Sequence, residues 1–192
     1  MDAVAVDPIA ALFAAGEGKF EWVRGSLLTM EPTSDEHDDG MLFLASVMRS
    51  YVEEQDAGRV KADQFAERLD PVTVRVPDVA FFKKSNLGKI KPTYSEGGAD
   101  LVVEIVSPDS RNRDRGEKYY EYEAAGIEEY WIVDSERKRA EFYRLREGAY
   151  EPVLPDAEGK VHSSTLPGFF LRVEWLWNRP KVLDALRELG VL

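Results

Sequence analysis

Apolar positions along this chain fall into two periods. Met41, Leu42, Leu44, Ala45, Met48 and Val52 recur at helical spacing, with Ser34 placed to cap the helix and Gly58 to end it. Leu101-Val102-Val103-Glu104-Ile105-Val106-Ser107 is instead apolar on both alternating faces. A strand with a solvated face carries polar residues at every second position, so this run predicts a central strand covered on both sides. Around these two anchors the pattern predicts a short helix over 8–15, two short strands around Gly25, and strands near 59–62, 65–69, 72–76 and 79–83. A loop follows over 84–99, punctuated by Asn86, Gly88, Pro92, Gly97 and Gly98. Beyond the Glu104 strand, Ser107-Pro108-Asp109-Ser110 leads into a helix over 111–125 closed by Gly126, then strands at 129–134 and 139–145. Strand candidates near 150–154 and 169–173 and a helix over 180–189 complete the chain. The strand–helix–strand unit ending at Glu129 to Asp134 predicts a parallel crossover, and Tyr130 to Val133 is too apolar for an open edge.

These elements, over 192 residues with 44% hydrophobic content, define an α/β (α+β) protein with one domain spanning 1–192. Thirty-six acidic residues against 25 basic ones give a net charge of -11, which opposes unspecific attraction to a polyanion. With Cys 0, disulfides, thiolate metal sites and cysteine nucleophiles are excluded. Met1-Asp2-Ala3-Val4-Ala5-Val6-Asp7-Pro8 has no basic n-region, and no apolar run approaches the roughly 18 residues of a membrane span. A soluble, cytoplasmic protein without a membrane partner is expected.

Glu104 carries the chemistry. An isolated buried carboxylate costs several kcal/mol, so it is protonated, paired with a cation, or bound to a metal. Asp78, in Arg75-Val76-Pro77-Asp78, and Lys118, on the charged helix after the Glu104 strand, are its candidate partners. Each has an ordinary alternative: a turn for Asp78, a buried arginine pair for Glu104, and a solvated salt-bridge face for Lys118. Jointly they suggest two carboxylates on Mg²⁺ or Mn²⁺, with a lysine that orients the nucleophile or neutralises charge during phosphodiester hydrolysis.

Arg75-Val76-Pro77-Asp78, Glu104-Ile105-Val106-Ser107-Pro108, Asp114 with Lys118 and Tyr122, and Gly126-Ile127-Glu128-Glu129-Tyr130-Trp131-Ile132-Val133-Asp134 resemble the Uma-two family, described as restriction endonucleases. Phe20-Glu21 with Gly25, Ser34 and His37 is similar to that family's amino-terminal part. The resemblance implies a restriction-endonuclease-like PD-(D/E)XK fold, with a mixed central sheet flanked by helices, a Mg²⁺-dependent site and DNA as substrate. It also implies Asp78 and Glu104 as metal ligands, Glu21 as an additional one, and His37 near the phosphate or the attacking water. Val106 stands where the lysine of Glu-X-Lys would be, and Lys118 resembles a relocated counterpart. Lys83, Lys84, Lys89 and Lys91, with Arg111, Arg113 and Arg115, are candidates for a cationic rim. His162 reads as structural or exposed, and Phe169, Phe170, Leu171, Trp175 and Trp177 as core. A homodimer is expected to supply two sites for two strands. The competing readings are a catalytically silent domain of the same fold, acting as a binding or assembly module, and a glycosidase built on the acid pair.

Overall fold

The computed structural model describes residues 6–107 and 110–192. Met1 to Ala5, and the Pro108-Asp109 part of the turn predicted after the Glu104 strand, lie outside the described residues. In chain order the elements are α1 (Pro8–Ala14), β1 (Phe20–Val23), β2 (Ser26–Thr29), α2 (Asp35–Glu54), β3 (Gly58–Ala62), β4 (Ala66–Asp70), β5 (Thr73–Arg75), β6 (Val79–Lys83), β7 (Tyr94–Glu96) and β8 (Leu101–Ile105). They continue with α3 (Arg111–Arg115), α4 (Glu117–Ala124), β9 (Glu129–Asp134), β10 (Arg139–Arg146), β11 (Ala149–Pro152), β12 (Lys160–His162), β13 (Phe170–Arg172) and α5 (Val182–Glu188). Short 3₁₀ turns cover Lys84–Lys89 and Val173–Leu176.

Local chemistry sets the boundaries. Ser34 caps α2 by accepting the His37 N–H at 3.2 Å, and Asp35, Glu36 and Asp38 place negative charge where the helix dipole favours it. The cap fixes His37 in the first turn of α2. The helix predicted over 111–125 is broken at Gly116, between α3 and α4. A Cβ there would lie 2.8 Å from the Asn112 carbonyl oxygen, so the tight break needs glycine.

The expected mixed central sheet is present, accompanied by two further sheets among the described residues. The largest has six strands in the order β11-β10-β9-β8-β6-β3, and β8 and β9 run parallel, joined by the crossover through α3 and α4. The other pairs in it are antiparallel. A five-stranded sheet, β2-β1-β5-β4-β7, and the β12-β13 pair accompany it. β9 lies inside the large sheet, as its apolar sequence requires.

Alternation along β8 divides the core. Leu101, Val103 and Ile105 join Val79, Phe81, Trp131 and Val133 in one cluster with apolar residues of α2 and α5. Val102 and Val106 join Tyr122, Tyr130 and Ile132 in another. Glu104 shares the parity of Val102 and Val106, so the pleat turns it toward α4. Phe169, Leu171 and Trp175 are buried in the first cluster, with Phe170 and Trp177 partly buried against it. Among the described residues no helix is long and apolar enough to cross a membrane.

Candidate active site

Register brings the two acids together. β6 and β8 pair antiparallel with Val79 opposite Val103, which sets Asp78, one step before β6, opposite Glu104. Pro77 directly before it offers no backbone donor and holds an extended entry to β6. Asp78 Oδ2 accepts the Ile105 N–H at 2.8 Å and lies 3.2 Å from His37 Nε2, while Oδ1 accepts from Lys19 Nζ at 3.1 Å. Burial acts to raise its pKa, but the His37 hydrogen bond and the charges of Lys19, His37 and Lys118 outweigh it, holding the carboxyl well below the usual range. Asp78 is therefore ionised.

Lys118, 1% exposed, reaches Glu104 Oε1 at 2.8 Å from α4, and is also 3.3 Å from Glu21 Oε1 and 3.5 Å from Asp114 Oδ1. Its three N–H donors thus face three carboxylates. Burial would lower its pKa, yet Glu104, Glu21 and Asp114 raise it well above the ordinary lysine value. Tyr122, one turn further along α4, donates its hydroxyl to the same Glu104 oxygen at 2.6 Å. Glu104 is pushed up to about 7, first by burial and then by Asp78, Asp114 and Glu21, against the pull of Lys118. The solvated salt-bridge alternative for Lys118 does not hold, and the cation beside Glu104 is a lysine rather than an arginine.

Glu21 sits behind this pair. Its Oε2 accepts from Arg75 Nη1 at 2.7 Å and its Oε1 from the Val76 N–H at 3.2 Å, and neither Glu21 nor Arg75 is solvent-exposed. Arg75 in turn donates to Glu121 at 2.7 Å. Glu21 does not line the cavity that holds the other candidates; it anchors Lys118 from the interior. His37 is buried, with Nε2 on Asp78 and Nδ1 without a hydrogen-bond partner. Burial lowers its pKa, but the Asp78 hydrogen bond and charge raise it overall.

Asp78, Glu104, His37, Lys118 and Lys19 line one cavity of about 370 Å³, closed on other sides by Thr29, Met30, Glu31, Thr33, Ser107, Ser110 and Arg113. The cationic rim expected from sequence is mostly elsewhere. Lys83 pairs with Glu128, Lys84 with Asp56, Arg111 with Asp134 and Glu136, and Arg115 with Glu141; Lys89 and Lys91 donate to backbone carbonyls. Arg113 alone of these seven lines the cavity. His162 is exposed beside Asp156. Sequence reasoning missed Lys19, which stands alone between Gly18 and Phe20, and gave Arg75 only as part of the Arg75-Val76-Pro77-Asp78 motif, without a role.

The donor set suits a hard, oxygen-seeking cation that keeps water ligands. Asp78 and Glu104 are two carboxylates on one cavity, and Glu104 Oε2 accepts no hydrogen bond from the described residues. A site supplied wholly by protein does not fit: no group of three His, Cys, Asp or Glu side chains among the described residues could hold a metal ion. Lys19, His37 and Lys118 provide the positive charge around the acids.

The architecture is a mixed α/β fold that carries one acid just before β6, another in β8 and a lysine on the crossover helix. The chain is similar to a crystal structure described as a putative nuclease belonging to DUF820 from Anabaena variabilis, with a TM-score of 0.73 at 18% identity over 86% of this chain and 95% of that one. At that identity the likeness speaks to the fold. The model of the Uma2 family, described as putative restriction endonuclease, matches residues 10–174, and the chain belongs to that family. No curated protein matches.

Proposed function

We propose that this protein is a Mg²⁺- or Mn²⁺-dependent endonuclease that hydrolyses phosphodiester bonds of DNA, with Asp78 and Glu104 holding the metal and Lys118 assisting. The observation that carries the reading is the arrival of Lys118 from α4 at Glu104, on the cavity that Asp78 also lines. A bound divalent ion would acidify a water ligand and shield phosphate charge. Asp78, already ionised, offers its carboxylate at neutral pH. Glu104 loses its proton near neutrality, so it becomes a full anionic ligand there.

Lys118 acts as a fixed cation. A lysine held so far above its ordinary pKa cannot serve as a general base, but its ammonium can orient a water or stabilise charge on a phosphate oxygen. Glu21, Asp114 and Arg75 hold it in place. Glu21 therefore enters this reading as a positioning residue and not as a metal ligand, because its oxygens face Arg75, the Val76 N–H and Lys118. His37 orients Asp78. Cutting both strands calls for two such cavities, so a homodimer belongs to the reading.

The test is cleavage of supercoiled DNA with Mg²⁺ or Mn²⁺ by the wild type, Asp78→Asn, Glu104→Gln and Lys118→Met. The expected result is nicking by the wild type and a loss of at least about a hundredfold in each variant, the scale seen when a group stabilising transition-state charge is removed. Undiminished cleavage by Glu104→Gln sinks the site assignment.

One observation favours the alternative of a silent binding module: both acids already have cationic partners, Lys19 and His37 on Asp78 and Lys118 on Glu104. That reading expects no saturable divalent-ion binding and no cleavage by any version of the protein.

A further inference from the structure

The cations that touch the cavity differ in what they are doing. Lys19 lies against Asp78 and Asp63, His37 against Asp78, and Lys118 against Glu104, Glu21 and Asp114. Arg113 does not follow suit. Among the described residues no carboxylate lies within ion-pair distance of it, although its flanking arginines Arg111 and Arg115 both have such partners. Its Nη2 reaches only the Met30 thioether, a weak acceptor, at 3.9 Å, and its Nε is buried with no hydrogen-bond partner.

A guanidinium on a cavity wall with no carboxylate beside it keeps its charge free for an oxygen supplied from the cavity. The contact to Met30, which follows β2, holds the side chain at the wall of the cavity formed by Thr29, Met30 and Thr33. Both threonines are exposed and bring hydroxyls able to donate to an anion. Among the described residues Glu31, on the same wall, forms no ion pair with Arg113, whose Nη2 contact is to Met30. Arg113 is on α3 and Lys118 on α4, so the break at Gly116 separates the two cations along the helical segment.

We propose that Arg113 is a phosphate-binding residue, which with Thr29 and Thr33 forms a subsite for a backbone phosphate next to the one that is cleaved. The inference rests on the nuclease reading above and adds what that reading lacks, a group that positions the strand rather than the metal. Guanidinium geometry suits the task, because two parallel N–H groups match two phosphate oxygens. An acidic protein gains little from long-range attraction to DNA, so a local contact of this kind has to fix the register of the strand.

The experiment measures binding of a short fluorescein-labelled DNA duplex by anisotropy, with Ca²⁺ present, at several salt concentrations. Wild type, Arg113→Ala and Arg113→Lys are compared, with thermal melting as the control for folding. Arg113→Ala is expected to weaken binding at least fivefold and to reduce the slope of log affinity against log salt by about 1, the signature of one lost phosphate contact. Arg113→Lys, with the charge but not the fork, is expected to recover only part of the affinity. Placing a neutral methylphosphonate at each backbone position in turn should weaken wild-type binding at one position at which Arg113→Ala is indifferent. A wild type that cuts DNA, with affinity and salt slope unchanged by Arg113→Ala, overturns this inference and leaves the nuclease reading standing. A wild type that neither cuts nor binds the duplex removes both.

Discussion

At Glu104, burial and charge act on the same proton. The carboxyl titrates near 7 in the folded protein against an ordinary value of 4.5, so the folded state binds its proton more tightly than the unfolded chain does. Stability linked to this group is present below the unfolded value and is lost as pH rises toward and through 7. His37, also raised, works in the same direction: its contribution is complete below its unfolded value and disappears as pH passes its folded one. Thermal melting of the metal-free protein between pH 5 and about 8 should therefore show a decline that is shallower in Glu104→Gln, with His37, the buried Glu67, whose carboxyl is pushed up to about 8, and Asp114, also raised by burial, supplying what slope remains. Equal slopes in the two proteins would show that Glu104 does not titrate in this window. The same proton must leave for a metal to bind, so Mn²⁺ affinity should climb by up to about tenfold per pH unit below 7 and then level off. At this scale the sequence was eloquent about Glu104 because a charge in an apolar strand has few explanations. It was silent on the pairing of Lys19 with Asp78 and of Arg75 with Glu21, which are remote in sequence and meet only in the folded chain, Arg75 and Glu21 on the paired strands β5 and β1.

The elements that aim Lys118 are α3, α4 and the Glu21–Arg75 pair behind them. Replacing Gly116 with alanine would put a Cβ 2.8 Å from the Asn112 carbonyl and force the two helices to shift. The expected cost is about 1–3 kcal/mol, the usual range for overpacking, read from denaturant unfolding, with weaker Mn²⁺ binding as α4 moves. Arg75→Met should cost more, about 3–5 kcal/mol, because it leaves Glu21 buried with one cation fewer. The double variant Glu21→Gln, Arg75→Met should regain part of that loss; a double variant worse than the sum of the single ones would contradict the pairing. Long elements were legible in the sequence, since α2 has a cap and a sustained period, and the parallel β8–β9 crossover follows from strand, helix and strand in succession. The three-residue strands β7 and β12 were not, because three residues carry no period and gain their order from neighbours. The Gly116 break was hidden by charged residues on either side that suit a continuous helix.

The whole molecule carries a net charge of -11, while the charged groups on the cavity are largely neutralised in pairs. DNA binding should consequently require a divalent ion and fall only shallowly with monovalent salt, in contrast to the steep fall of a basic DNA-coating protein. The three-sheet assembly was beyond the sequence, because strand order depends on pairings between distant segments, such as β1 with β5 and β4 with β7. The family resemblance was visible in motifs spread from Phe20 to Asp134, and the family match extends over residues 10–174. The account stands on metal binding by Asp78 and Glu104, and the most direct measurement is calorimetric titration of Mn²⁺ into the wild type and Glu104→Ala at moderate salt. Saturable binding in the wild type that is lost in Glu104→Ala is the predicted result; the same weak, unsaturable heats in both proteins would contradict it.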